Sequence, residues 1–297
     1  MAKRVLITGA FGQLGEAIIM ELQPYFNLCA TGKLVPEDNL GLCKYHQLDI
    51  KEKEGVNDCI QSFTPDVVIH LACMTNVDGC EKNREEAWRV NVTGTENIIN
   101  SVRGSSAKIV YISTDYVFDG KAGPYIEDDV PNPINYYGKT KLAAENAVRG
   151  CAQPWVILRT NVLYGNSIRS SASFVNWVVN SLKNSKEINV VDDQINNPTW
   201  TASLAEAIKL SIIMNIQEIL NYAGSEFMSR FEFAKRIANV FELDSSLIKP
   251  IKTEDLNQLA PRPLRSGLST VKIEELIGVR TYGLDYCLRK VGEGIVN

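Results

Sequence analysis

Two adjacent tyrosines and two nearby lysines stand in NPINYYGKTKLAAENA, Asn132 to Ala147. A phenol beside a cation can give a proton to a ketone, because the charge stabilises the phenolate left behind. Alone, with a pKa of about 10, it is a poor acid at neutral pH. On a helix from Tyr136 to Arg149, at about 100° per residue, Tyr136 neighbours Lys139 and Tyr137 neighbours Lys141. Thr140, Ala144, Ala147 and Val148 share an arc with Tyr137 and have Lys141 at its edge, while Lys139 falls on the polar side with Asn146 and Arg149. The phase turns Tyr137 and Lys141 toward the body of the protein and leaves Tyr136 to pack. Taken on the helix alone, an aromatic side chain beside a snorkelling lysine is the competing reading.

A proton donor for ketone reduction needs a hydride carrier beside it. Strand-like RVLITG leads into GAFGQLG, Gly9-x-x-Gly12-x-x-Gly15, and then into helical EAIIMELQ. Glycines let the backbone turn sharply beside a pyrophosphate, and the helix that follows offers unpaired N–H groups and a positive dipole end to the anion. Gly9, Phe11, Gly12, Gln13, Leu14 and Gly15 are therefore the candidate dinucleotide contacts. Leu71 and Ala72, at the end of a later strand, join them, and Asp49 and Ile50 fall at the right distance to flank the adenine. The second strand ends in Cys29-Ala30-Thr31-Gly32-Lys33, with no carboxylate for a ribose 2′-hydroxyl and with Lys33 near a 2′-phosphate. NADPH is favoured over NADH; a solvated loop lysine is the alternative for Lys33.

The elements that must position these residues follow from the alternation of short β-branched runs with longer helical patterns, which predicts βαβ units and a parallel sheet covered on both faces. Strands are expected at Arg4 to Thr8, Leu28 to Thr31, Val67 to Leu71, Ile109 to Ser113 and Val156 to Arg159. Helices are expected at Gln13 to Gln23, Lys53 to Phe63, Arg84 to Val102 and Tyr136 to Arg149. After Gly165 the rhythm changes to a helix at Ala172 to Lys183, a strand at Ile188 to Val191, and helices at Ser203 to Met214 and Arg230 to Phe241. The proline- and arginine-rich APRPLRSGL, Ala260 to Leu268, suits a surface loop. The fold class is α/β, a Rossmann-type doubly wound parallel sheet with a smaller C-terminal α/β substrate-binding lobe. Residues 1–165, completed by about 196–225, form the dinucleotide domain, and 166–195 with 226–297 form the lobe.

Composition narrows the function classes. The chain has 297 residues, is 45% hydrophobic and carries a net charge of −4 with its cations scattered, which gives no electrostatic surface for nucleic acid or membrane. No apolar run approaches the roughly 20 residues that span a bilayer, and MAKRVLITGA is not read as a signal peptide. Seven cysteines without a CxxC, beside only His46 and His70, argue against a metal site and for reduced thiols in a cytoplasmic protein. Glu274, Glu275 and Glu293 are read as solvated carboxylates.

TGAFGQLG, NVTGTENI, YISTDYVFDG, NPINYYGKTKLAAE and LRTNVLYG come in the order seen in extended short-chain dehydrogenase/reductases, and STDYVFDG with YGKTK most resembles the dTDP-4-dehydrorhamnose reductase family. The resemblance covers most of the chain, strongly through Gly165. It implies NADPH-dependent reduction of the C4 ketone of a nucleotide-linked 6-deoxyhexose. Tyr137 matches the general acid, Lys141 the residue that bonds the nicotinamide ribose and lowers the tyrosine pKa, and Thr114 the hydroxyl that orients the carbonyl. Asp115 and Tyr116 stand beside Thr114 as in those reductases. Thr75, Val77 and Asp78 match the segment lining the nicotinamide and sugar, and Asn161 lies in the LRTNVLYG segment. Asn197, Pro198 and Thr199 match the segment that closes over the sugar. Arg262 and Arg265 could clamp a diphosphate, with a solvated loop as the alternative. Related dehydratases place an acidic pair after the threonine; Thr114-Asp115-Tyr116 lacks the second carboxylate, which favours reduction. Val162 stands where the reductase family often carries Trp, so the sugar pocket is expected to differ. The expected partner is a nucleotide sugar, with a homodimer left open. The same DYVFDG and YGKTKL segments resemble the non-catalytic beta subunit of methionine adenosyltransferase, which keeps an NADP-binding regulatory role open.

Overall fold

A computed structural model describes residues 2–34, 41–166 and 173–295. Strands β1 (Arg4–Thr8), β2 (Asn27–Gly32), β3 (Lys44–Gln47), β4 (Val67–His70), β5 (Lys108–Thr114) and β6 (Trp155–Thr160) join Ile219–Asn221 in one seven-stranded sheet. Its order is β3-β2-β1-β4-β5-β6 followed by Ile219–Asn221, and every pairing is parallel. This is the doubly wound arrangement, with its switch point between β1 and β4. Alternate side chains feed two layers. Val5, Ile7, Val67, Ile69, Val110 and Leu158 pack with α1 (Gln13–Leu22). Leu6, Val68, Ile109 and Ile157 pack on the opposite face with α2 (Lys53–Phe63) and with the helices that lead toward Tyr137. Burial on both faces explains why these strands read as continuous apolar runs.

The helix expected at Arg84 to Val102 forms as α4 (Arg84–Trp88), a π-helical turn (Arg89–Thr93) and α5 (Gly94–Ser101), preceded by the short α3 (Val77–Lys82). Gly94 lies so close to Ile50 that a Cβ there would collide with it. The expected helix bearing the tyrosines is α6 (Tyr136–Arg149), opened by Asn135, whose Oδ1 accepts from Gly138 N at 2.9 Å. Its seat on the sheet is tied by Arg159 of β6, which donates to both carboxylate oxygens of Glu145 at 3.0 and 2.8 Å inside the core.

A second core joins α7 (Phe174–Lys183), the ladder of Ile188–Val191 with Ile248–Ile251, α9 (Arg230–Val240) and α11 (Leu284–Ile295). Between α7 and α9 in the chain, α8 (Thr201–Ile213) packs on α1 beside the main sheet, as does α10 (Val271–Ile277) on α8. The helix start expected at Ala172, and residues 167–172 of the expected lobe, lie outside the described residues. The sequence does not foretell β3, whose KYHQ is a mostly exposed edge with Tyr45 alone packed on the core, nor the three-residue strand Ile219–Asn221. APRPLRSGL is not a free surface loop. Ala260, Pro263, Ser266, Gly267 and Leu268 are buried, and the backbone of this strap bonds to Gly120, Gly123, Tyr125 and Ile195. No described helix is long and apolar enough to cross a membrane.

Candidate active site

The glycine turn lies at the switch point. Gly9 takes φ +66°, and a Cβ on it would stand 2.7 Å from Ala72 N, so only glycine permits β1 to turn against the end of β4. Thr8 closes the same junction. Its hydroxyl accepts from Leu71 N at 3.2 Å and Ala72 N at 3.3 Å, and donates to His70 Nδ1 at 2.7 Å. Gly15 is buried against the backbone of Ala10, and Leu14 is buried in the core. Gly12 caps α1 without a side-chain bond, and a Cβ built on it would meet nothing nearer than Gly9 O at 3.6 Å. Open space above uncapped helix N–H groups is what a pyrophosphate needs, and the turn fits a dinucleotide.

Around the expected adenosine end, the Phe11 ring stacks on Tyr45 at 5.9 Å and covers Gly32. Ile50 is buried, and its carbonyl accepts from Asn97 Nδ2 at 3.0 Å. Gln13 reaches across to donate to Gly165 O at 3.3 Å. Lys33 is 74% exposed and lies 3.8 Å from the Asp49 carboxylate, which also faces Lys51 at 3.8 Å. The end of β2 does carry a nearby carboxylate, supplied from after β3 and therefore hidden from a reading of β2 alone.

At the C-terminal edge of the sheet, Thr114 ends β5 and faces the first turn of α6. A Cβ on Gly138 would collide with the Tyr116 carbonyl oxygen, so this glycine lets α6 lie directly on the chain after Thr114. Lys141 is buried, donates from Nζ to Ile112 O at 2.7 Å and lies 4.1 Å from the centre of the Tyr111 ring. An ammonium carries three donors, and this is the one hydrogen bond Lys141 makes among the described residues, so two donors remain for a ligand. Tyr137 meets Tyr116 edge-on at 5.8 Å. Tyr136 packs under Arg84, at 5.3 Å, as expected of a packing residue, and Lys139 is exposed.

The net shift of the Tyr137 pKa is upward, against the lowering expected from Lys141. Burial holds the phenol well above its usual value, Cys73 adds to the rise, and a hydrogen bond with Thr114 opposes it. Burial likewise pulls the Lys141 ammonium down. Asp115 is pushed up to about 6 by burial, against hydrogen bonds from Ser266 and Thr114 and the charge of Arg230. Its Oδ1 accepts from the Thr114 hydroxyl at 3.1 Å.

The segments expected to line a substrate meet one another. Arg262 donates to both oxygens of Asp78 at 3.1 and 2.9 Å, and Ala260 N adds a bond to Asp78 at 2.9 Å, so the strap is clamped to α3. Burial would raise the Asp78 carboxyl, but the Arg262 and Ala260 bonds outweigh it and hold it below the usual range. Thr75 is exposed, Val77 is half-buried, Pro198 abuts Gly224 and Arg265 points to solvent. Asn161, Asn197 and Thr199 are buried and hydrogen-bond one another, Thr199 Oγ1 donating to Asn161 Oδ1 at 3.2 Å. Asn197 accepts from Asn161 at 2.9 Å and Leu268 N at 3.0 Å, and donates to Gly224 O and Leu268 O at 2.7 and 2.9 Å. These three build the wall that holds the strap and offer a ligand no free group of Asn197. Val162 beside them adopts φ +34°, a region that costs a β-branched residue about 1–3 kcal/mol.

Sequence reasoning missed Asn91, Thr95 and His70. Asn91, in the π-helical turn, accepts from Met74 N at 2.7 Å and donates to Thr140 at 2.9 Å, fixing the chain after Cys73 to α6. Thr95 donates to Asn91 O at 2.7 Å and so accepts from His70 Nε2 at 3.0 Å, a neutral imidazole whose pKa burial lowers to about 3. The signal available was NVTGT, which sets Asn91 and Thr95 one turn apart on one helix face. Among the described residues no group of three or more His, Cys, Asp or Glu could hold a metal ion.

A 3-2-1-4-5-6 parallel sheet with a glycine turn at its switch point, and Thr114, Tyr137 and Lys141 gathered at its C-terminal edge, defines an extended short-chain dehydrogenase/reductase. More narrowly, the chain belongs to the RmlD substrate binding domain family, whose family model matches residues 3–291. It is 34% identical to methionine adenosyltransferase 2 subunit beta of Xenopus tropicalis, over 94% of this chain and 84% of that protein. It is also 34% identical to the spore coat polysaccharide biosynthesis protein SpsK of Bacillus subtilis, over 93% of this chain and 92% of that one. Among solved structures, dTDP-4-dehydrorhamnose reductase from Bacillus anthracis in complex with NADP is 33% identical and superimposes with a TM-score of 0.89, covering 99% of both chains.

Proposed function

We propose that this protein is an NADPH-dependent oxidoreductase that reduces the C4 ketone of a nucleotide-linked 4-dehydro-6-deoxyhexose, with dTDP-4-dehydro-L-rhamnose as substrate and dTDP-L-rhamnose as product. The observation that carries this reading is the buried Lys141 ammonium, bonded among the described residues to Ile112 O alone, one helical turn from Tyr137 and facing the end of β5 at Thr114. NADPH, when bound, supplies the hydride to the carbonyl carbon. The Tyr137 hydroxyl gives its proton to the carbonyl oxygen, and the Thr114 hydroxyl, turned from Asp115 to that oxygen, orients it, so one hydride and one proton convert the ketone to an alcohol. A phenol whose pKa burial keeps high enters the reaction protonated, as a donor must. Support comes from the NADP-bound dTDP-4-dehydrorhamnose reductase at 33% identity and from the polysaccharide biosynthesis relative. The reaction belongs to nucleotide-sugar and cell-surface polysaccharide synthesis in the cytoplasm.

The test is NADPH oxidation on adding enzymatically generated dTDP-4-dehydrorhamnose. Absence of turnover across a series of nucleotide 4-keto sugars would sink the reading. A second reading, an NADP-binding regulatory subunit, is favoured by the 34% identity to methionine adenosyltransferase 2 subunit beta. It predicts NADPH binding without turnover and a stable complex with a methionine adenosyltransferase catalytic subunit.

A further inference from the structure

Arg230 opens α9 inside a capping box, where Ser229 Oγ accepts from Glu232 N at 3.1 Å and Glu232 Oε2 accepts from Ser229 N at 2.7 Å. Its own N–H donates to Gln194 O at 3.1 Å, and Ser229 pairs with Ile195, so the backbone of Arg230 is held firmly. Among the described residues no hydrogen bond or ion pair holds its side chain. Its guanidinium lies 5.4 Å over the Phe174 ring, its Nε is buried with no hydrogen-bond partner, and among the described residues it makes no ion pair. A buried donor left without an acceptor is costly, and a ligand that brings an anionic oxygen to this half-buried guanidinium would satisfy it.

The neighbours locate that ligand. Of the groups near enough to act on Arg230, Asp115, directly after Thr114, carries the opposite charge and Arg262 the same one, while the Tyr116 phenol stays neutral. None of these satisfies it. Asp115 receives the hydroxyls of Thr114 and Ser266, and Arg262 is already neutralised by both oxygens of Asp78. Ser266 N bonds to Ile195 O, which places Asp115, the strap and the start of α9 in one connected wall.

We propose that Arg230 is the residue that binds an anionic oxygen group of the substrate, a phosphate of the nucleotide diphosphate or a carboxylate on the sugar. The substrate's identity rests on the reductase reading; anion binding does not require turnover. The forked guanidinium suits either anion, so the two sources are separated by experiment. Full-length protein loaded with NADP is titrated calorimetrically with dTDP, with inorganic pyrophosphate and with glucuronate. Binding of dTDP and pyrophosphate assigns the phosphate; binding of glucuronate alone assigns the carboxylate. Arg230→Gln weakens the bound anion by about tenfold or more and Arg230→Lys by less, while the NADPH dissociation constant stays at the wild-type value and reports an intact fold. With a turned-over substrate, Arg230→Gln raises KM more than it lowers kcat. Equal anion binding by wild type and Arg230→Gln overturns the proposal, and so does failure of the wild type to bind any of the three. Arg230-dependent anion binding without turnover would count against the reductase reading and leave this one standing.

Discussion

Lys141 donates to the carbonyl oxygen of Ile112 at 2.7 Å, tying the helix that carries Tyr137 to the strand that ends in Thr114. In the proposed function the two other hydrogens of this ammonium meet a nicotinamide ribose. Lys141→Met removes those donors. It is expected to weaken NADPH binding by about ten- to hundredfold, the worth of one or two hydrogen bonds to a charged group, as read by fluorescence titration.

Tyr137→Phe removes only the hydroxyl. If Tyr137 is the proton donor, kcat falls by about 10²- to 10⁴-fold with NADPH affinity unchanged. Because burial raises the phenol pKa, Tyr137 stays protonated through neutral pH. The wild-type profile of kcat/KM for reduction should therefore show no loss from this group below its ordinary value of about 10.

Asn91 acts through others. Asn91→Leu leaves Met74 N and Thr140 without their buried partner. A loss of about 1–3 kcal/mol in urea unfolding is expected, together with a raised KM as the segment after Cys73 loosens.

Asp115 and His70 make stability depend on pH with opposite signs. The Asp115 carboxyl is raised from 3.8 to about 6, so between those values the folded state holds more protons and stability rises on acidification. His70 is lowered from 6.5 to about 3, so the unfolded state holds more protons there and stability falls on acidification. Asp115→Asn abolishes the first slope. The variant should lose stability more steeply than wild type between about pH 6 and pH 4, by about 3 kcal/mol across the window, and unfolding at a series of pH values measures it.

Lys33 is mostly exposed and shares its charge with Asp49 at 3.8 Å. Lys33→Ala is expected to raise the KM for NADPH by less than about tenfold and leave that for NADH unchanged, since exposed pairs are worth about 1 kcal/mol or less. Asp49→Asn frees the cation and should lower the NADPH KM. Steady-state kinetics with both cofactors checks the pair of opposite signs.

What is legible in the chain is what local rules control. Alternating strands and helices, the Gly9 to Gly15 turn, the bounds of α2 and α6, and the burial of Lys141 against the exposure of Lys139 all rest on spacings within a single element, where a period of 3.6 residues sets which side chains share a face. APRPLRSGL shows the limit. Proline and arginine mark it as a loop, but its burial depends on backbone bonds to Gly120, Tyr125 and Ile195, which no local spacing encodes.

The sequence by itself determined the fold class, the glycine turn and the face of α6 that carries Tyr137 and Lys141. Only the tertiary structure decided which polar groups are spent and which are free. Asp78 finds Arg262 at 184 positions' remove, Asn197 is consumed by Leu268 and Gly224, and Asp49 comes up beside Lys33 from another strand end. It also leaves the Arg230 Nε buried without a partner among the described residues, and burial lifts the Tyr137 pKa that a sequence argument expects to fall. The reason is physical: hydrogen-bond satisfaction and desolvation depend on which groups burial brings within about 3 Å, and that is a property of the packed chain rather than of any segment.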